Sequence, residues 1–206
     1  MRASAIVVVA ALLALLGAGL PAARAADADG DGYEDVPGDV LIIGDSLAVG
    51  TQPYLGQLLA GRNVVSDVRN GITTPDGMRM LRMSLRQVTP SAVVVSLGSN
   101  DGGDAQRFAS RLRRTLALLP LDTCVIWSTI IRPRRKGPYR PLNRVLHTFK
   151  KQEPRLVVVD WEHAVKEGSA VLRDGLHATP SGYAYRSAMI ADAVNAGCPA
   201  RGPGSG

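Results

Sequence analysis

The sequence predicts an α/β domain: a parallel five-stranded sheet with helices on both faces. Three observations lead there. Short runs of aliphatic and β-branched residues recur at 39–43, 63–68, 92–96, 124–128 and 155–159. Longer stretches with helical spacing separate them, and strand–helix alternation means parallel strands joined by crossovers that cover both sides of the sheet. Composition agrees: 46% of the 206 residues are hydrophobic but only 4% are aromatic, which gives one aliphatic core and room for one domain rather than two.

The elements follow in chain order. Residues 39–43 form an apolar run that stops at Gly44, as a strand buried on both faces does. A helix over 49–60 leads to the second strand at 63–68. Thr74-Pro75-Asp76 is a helix start, with a capping hydroxyl and a proline in the first turn, and this helix extends to 88. The third strand is 92–96. The helix over 104–119 carries Phe108, Leu112, Leu116 and Leu119 at helical spacing. The fourth strand at 124–128, a helix over 142–151 and the fifth strand at 155–159 complete the sheet. Thr179-Pro180 opens a last helix, which Gly197 ends.

Around this body the chain divides into a leader (1–25), an acidic linker (26–38), the domain (39–198) and a Gly/Pro-rich tail (199–206). Arg2 precedes an apolar stretch that Pro21 breaks, and Ala23-Arg24-Ala25 fits a signal-peptide cleavage site, so the protein is expected outside the cytoplasm. An uncleaved anchor is the alternative, because the apolar stretch is nearly long enough to span a bilayer. Asp27, Asp29, Asp31 and Asp35, alternating carboxylates with a glycine turn, resemble the start of a calcium loop. The twelfth position of such a loop would be Gly38 instead of a glutamate, and a solvated acidic linker explains the run as well. No cofactor is called for. The two cysteines, Cys124 and Cys198, suggest one disulfide in an oxidising compartment, with two buried thiols as the alternative. Topology favours the bridge: Cys124 begins the fourth strand at the amino edge of the sheet, and the last helix returns to that edge before Cys198. Such a closure would stabilise by about 4 kcal/mol in the chain-entropy treatment.

In an open parallel sheet reactive groups gather at the carboxyl ends of the strands. Those ends carry Gly44-Asp45-Ser46-Leu47, then Arg69-Asn70-Gly71, then Gly98-Ser99-Asn100-Asp101, and beyond the fifth strand Asp174-Gly175-Leu176-His177. Singly each has a plain structural reading: a serine after a strand caps a helix, and Asn100 or Gly71 makes a turn. Together they supply a reaction. A serine hydroxyl needs a base to take its proton, and His177 can act so if an acceptor holds its other nitrogen. Asp174, three residues earlier, shares a face with His177 in a helical turn and would fix its tautomer. The backbone N–H groups of Ser46 and Gly71 and the amide of Asn100 are candidate oxyanion donors.

These four blocks resemble those of the SGNH/GDSL hydrolase family. The resemblance covers residues 39–196 and implies a flavodoxin-like three-layer αβα sandwich. It implies a Ser46–His177–Asp174 triad, with Ser46, Gly71 and Asn100 as the oxyanion hole. The G-x-S-x-G elbow of α/β-hydrolases is absent. Val159-Asp160-Trp161 and the region of Asn143 are similar to the extracytoplasmic SGNH domains of cell-wall O-acetyltransferases. Two activities follow from the resemblance: hydrolysis of short acyl esters, or acyl transfer onto a glycan with the same residues. The substrate is then a small ester or an acylated glycan.

The chain is basic, with a formal charge of +6 and a pI near 9.7. It shows no zinc-finger spacing, RNP motif or basic-aromatic platform, so nucleic acid is not an expected partner. One basic run stands out: Arg132, Arg134, Arg135, Lys136 and Arg140 follow the fourth strand and so lie on the same rim. It reads either as a solvated loop or as a docking site for an anionic cell-wall polymer or membrane surface. His147, His163, Trp127, Trp161 and the Met78, Met80 and Met83 group are expected in packing or surface roles.

Overall fold

In the computed structural model, which describes residues 39–197, five strands form one sheet. They are β1 (Val40–Gly44), β2 (Val64–Val68), β3 (Ala92–Ser96), β4 (Cys124–Ser128) and β5 (Leu156–Val159). Every pairing is parallel and the order is β2-β1-β3-β4-β5. This is the flavodoxin-like order, and its direction of winding reverses between β1 and β3, where a crevice opens beyond the carboxyl ends. The strands are connected by α1 (Ser46–Leu58), α2 (Thr74–Ser84), α3 (Ala105–Leu116) and α4 (Arg140–Lys150), and α5 (Trp161–Lys166) and α6 (Pro180–Ala196) follow β5.

Alternation along the strands builds two apolar layers. Val40 and Ile42 of β1 pack with Leu55 of α1, with Leu59 at its end, and with Ile190 and Val194 of α6. Leu41 and Ile43 join Leu81 of α2, Leu112 of α3 and Leu146 of α4 on the other side. Both faces of β1, β3 and β4 are therefore buried, which is why these strands read as unbroken apolar runs. Trp127 is fully buried, meets Phe108 edge-on at 6.0 Å and donates its indole N–H to Leu97 O. The buried residues of the layer facing α2, α3 and α4 are otherwise aliphatic around this pair.

The predicted sheet is the observed one. The differences lie at helix ends. Helix α1 starts at Ser46, ahead of the predicted 49, because Asp45 caps it at once. Helix α2 is capped at Thr73 and stops at Ser84, after which Arg86, Gln87 and Val88 turn back onto the carbonyls of Met83 and Ser84. Helix α5 was not expected; it spans six residues, too few for a period to show.

Residues 1–38 and 198–206 lie outside the described residues, and with them the leader, the acidic run Asp27, Asp29, Asp31 and Asp35, Cys198 and the tail. Of the disulfide expected between Cys124 and Cys198, only the Cys124 half falls among the described residues. Cys124 is buried at the start of β4, within the α1/α6 layer.

The packing makes one direct prediction. Phe108→Ala should lower the unfolding free energy by about 3–5 kcal/mol, since it removes one ring of an edge-on pair at a fully buried site. Urea denaturation would show a lower midpoint with an unchanged slope. A loss below about 1 kcal/mol would contradict the packing described.

Candidate active site

The loops at the switch point are shaped by contacts that only glycine allows. A Cβ on Gly44 would stand 2.5 Å from Ala48 Cβ and 2.9 Å from Ser96 O, so β1 can pass straight into α1 only without a side chain there. Gly98 has φ 107°, and a Cβ on it would meet Ile130 Cδ1 at 2.5 Å. That turn sends Ser99, Asn100 and Asp101 over the end of β3, beside the start of α1.

Ser46 is the first residue of α1, where a helix leaves its amides without intrahelical acceptors. Its Oγ lies 3.0 Å from His177 Nε2, and His177 Nδ1 lies 2.8 Å from Asp174 Oδ2. His177 and Asp174 do not share a helical turn, contrary to the sequence reading. They sit in a tight loop before α6, closed by Arg173 N–H donating to His177 O and by the Leu172–Ala178 bridge. Asp174 shapes this loop itself: its Oδ1 accepts from the N–H groups of Leu176 (3.0 Å) and His177 (2.7 Å). The His177 ring and backbone bonds hold its carboxyl far below the usual carboxylate range. An ionised Asp174 accepts a hydrogen bond from Nδ1–H, which fixes the tautomer and leaves Nε2 to accept from the Ser46 hydroxyl.

Beneath these residues lies a buried polar knot. Asp45 is 1% exposed. Its Oδ1 accepts from Leu47 N–H at 2.9 Å, and its Oδ2 accepts from the Ser99 hydroxyl and, at 3.4 Å, from Asn100 Nδ2. Burial pushes the Asp45 carboxyl up, while the bonds from Ser99 and Leu47 and the charge of Arg186 pull it back. Arg186, on α6, is 1% exposed; it donates to Ser96 Oγ at 2.9 Å and lies over the Trp161 ring at 5.1 Å. Burial lowers the Arg186 guanidinium to about 10, against the raising effect of Asp45. Neither residue was singled out from the sequence, where a buried arginine leaves no mark.

Asn100 has a second set of bonds. Its Nδ2 donates to Ile72 O at 3.0 Å and its Oδ1 accepts from Lys136 Nζ at 3.0 Å. Of its two amide protons, the one on the 3.4 Å contact with Asp45 is the looser. Asp101 ties the same loop to its neighbours, accepting from Thr74 N–H (2.9 Å) and pairing with Arg111 (2.8 Å). Ser46, Gly71, Asn100 and His177 line one depression of about 510 Å³, together with Lys136 and Arg173.

The basic loop divides. Arg132 is not a rim residue but 3% exposed, with its guanidinium bonded to the carbonyls of Gly98, Ser99, Asp101, Gly137 and Pro138. Arg134, Arg135 and Arg140 are exposed, and Lys136 is the member that reaches the depression. A neighbouring groove of about 670 Å³ runs past Pro133, Arg134, Tyr139, Arg140 and Gly175. His147 and His163 are exposed, and no group of metal ligands occurs among the described residues. Met78 is buried and Met83 is 65% exposed.

The sequence matches the family described as GDSL-like Lipase/Acylhydrolase over residues 42–185. Among solved structures, the chain is similar to the C-terminal catalytic domain of peptidoglycan O-acetyltransferase A from Streptococcus pneumoniae. The two share 18% identity over 79% of this chain and 93% of that chain, with a TM-score of 0.61. A lipase/acylhydrolase from Enterococcus faecalis shares 19% identity over 80% and 99%, with a TM-score of 0.63. The psychrotrophic esterase EstA from Pseudoalteromonas sp. shares 16% identity over 78% and 97%, with a TM-score of 0.58. At these identities the likeness is one of fold. No curated protein matches the chain.

The Asp45–Arg186 arrangement makes a stability prediction. Arg186→Met should destabilise at neutral pH by about 3 kcal/mol, because it leaves a buried carboxylate without its countercharge. Asp45 has a raised folded-state pKa, which the substitution raises further. The native state is therefore favoured below the unfolded pKa and loses that advantage as pH rises through the folded one, so the penalty should grow as pH rises above the ordinary carboxylate range. The double variant Asp45→Asn/Arg186→Met should lose less than the sum of the single changes in urea titrations. Strict additivity and a pH-independent penalty would contradict the coupling.

Proposed function

The chain belongs to the GDSL-like lipase/acylhydrolase family, and from that premise we propose that it is an exported serine esterase with Ser46 as nucleophile. The observation that carries the reading is the unbroken relay from Ser46 Oγ to His177 Nε2 (3.0 Å) and from His177 Nδ1 to Asp174 Oδ2 (2.8 Å). His177 removes the hydroxyl proton as Ser46 attacks the ester carbonyl. Asp174, held ionised by its amide and ring bonds, stabilises the imidazolium that forms. The oxyanion is met by the N–H groups of Ser46 and Gly71 and by the looser amide proton of Asn100. His177 then protonates the leaving alcohol, and water repeats the sequence to release the acid. The substrate is a short acyl ester, free or carried on a glycan, and the leader-like residues 1–25 assign its site of action outside the cytoplasm.

A second reading is O-acyl transfer onto a glycan through the same acyl-serine. It is supported by openness: the His177 and Asp174 side chains are 32% and 48% exposed, so an alcohol can replace water as acceptor. The fold likeness to a peptidoglycan O-acetyltransferase domain points the same way.

Ser46→Ala should abolish hydrolysis of short p-nitrophenyl esters while leaving the circular dichroism spectrum unaltered; activity equal to the parent would overturn the assignment. Asn100→Ala should lower kcat on the order of 10²-fold with little change in KM, because its donor acts mainly in the transition state. An effect confined to KM would place Asn100 in ground-state binding. Adding sugar acceptors should leave ester consumption fully accounted for by free acid if the protein is a hydrolase, and divert acyl groups to the sugar if it is a transferase.

A further inference from the structure

We propose that the catalytic depression selects esters carrying an anionic group, a carboxylate on either the alcohol or the acyl side, held by Lys136 and Arg173. The inference rests on the esterase reading and names the substrate class of that site. Both cations line the depression that holds Ser46, Asn100 and His177, and they come from two separate loops. None of its described lining residues is an aspartate or glutamate. Neither Lys136 nor Arg173 makes an ion pair among the described residues. The nearest carboxylates are already engaged: Asp174 by the His177 ring and two amides, and Asp45, below the surface, by Leu47 and Ser99. Lys136 and Arg173 thus face the depression with no carboxylate bonded to either, an arrangement that attracts an anionic ligand.

The placement of Lys136 is built into the fold. It closes a short 3₁₀ turn, Arg134–Lys136, whose end at Gly137 has φ 85°. Buried Arg132 staples that turn to the Asn100 loop by bonding carbonyls of both, Gly137 and Pro138 on one side and Gly98, Ser99 and Asp101 on the other. One ammonium donor goes to Asn100 Oδ1, and an ammonium has two more. A substrate carboxylate bonded to Lys136 would thus sit next to Asn100, within reach of the reacting carbonyl. Arg173 stands beside it in sequence to Asp174, and its backbone N–H is fixed on His177 O at 2.7 Å.

Two matched pairs test this: 4-acetoxybenzoate against 4-acetoxybenzamide for an alcohol-side carboxylate, and p-nitrophenyl hemisuccinate against p-nitrophenyl butyrate for an acyl-side one. The parent should prefer the anion of one pair by at least about tenfold in kcat/KM, as expected for charge-assisted contacts. Lys136→Met/Arg173→Met should abolish that preference, and Lys136→Arg should keep most of it. No preference in either pair, or a preference that survives the double Met variant, overturns the proposal while leaving the esterase reading intact. Calorimetric binding of 4-acetoxybenzoate and 4-acetoxybenzamide to Ser46→Ala separates the two ideas. Tighter binding of the anion, lost on adding the Met changes, supports the subsite whatever becomes of the esterase reading; equal binding of the pair there, and of the two acyl-side esters, overturns it.

Discussion

One buried carboxylate organises this site. Asp45 stands between β1 and α1 and reaches both loops at the switch point: the amide of Leu47 on its own helix, and Ser99 and Asn100 beyond β3. Those loops bear the nucleophile candidate and an oxyanion candidate, so this side chain couples their relative position. The cost is a carboxylate with almost no access to water, and burial raises its pKa as a result. Arg186 offsets that cost from α6, itself buried and held by Ser96 and the Trp161 face. A charge pair of this kind contributes little net stability against apolar packing, but loss of either member is expensive. What it supplies here is geometry at the base of the site.

The rest of the arrangement follows from strand order. With β1 and β3 adjacent and the winding reversed between them, Ser46 and Asn100 emerge side by side although 54 positions separate Asp45 from its partner Ser99. His177 arrives from a different direction, on a loop whose shape is set by Asp174 bonding two backbone amides of its own turn. The proposed base and its orienting acid therefore form a local unit, while the proposed nucleophile and oxyanion donors form another, joined by the 3.0 Å contact between Ser46 and His177. Two arginines deep in the structure, Arg132 and Arg186, brace the unit that holds the nucleophile from opposite sequence neighbourhoods.

Much of this was legible in the residues. The strands showed because a sheet covered on both faces needs continuous apolar runs, and Ala92–Ser96 and Cys124–Ser128 were located to the residue. Ser46, Asn100, Asp174 and His177 stood out because strand ends in parallel sheets collect polar groups at a common rim. Three things were hidden, each for a physical reason. Helix α5 is too short to express a period. The contact between Asp174 and His177 was attributed to a helical turn, when a side chain bonding its own loop amides does the work; residue spacing does not distinguish the two. Arg132 and Arg186 were read as surface or passed over, because charge in a sequence signals solvent and only the folded chain shows which carbonyls, rings or carboxylates surround it.

The central claim is that Asp45 presents Ser46 for reaction, and it can be measured directly. A serine-directed phosphonate should modify the parent at Ser46 alone, as peptide mass spectrometry would show. Asp45→Asn, folded by circular dichroism, should be modified at that residue on the order of 10²-fold more slowly, because the amide cannot accept from Leu47, Ser99 and Asn100 as the carboxylate does. Equal rates in the two proteins, or no adduct on Ser46 in the parent, would contradict the account.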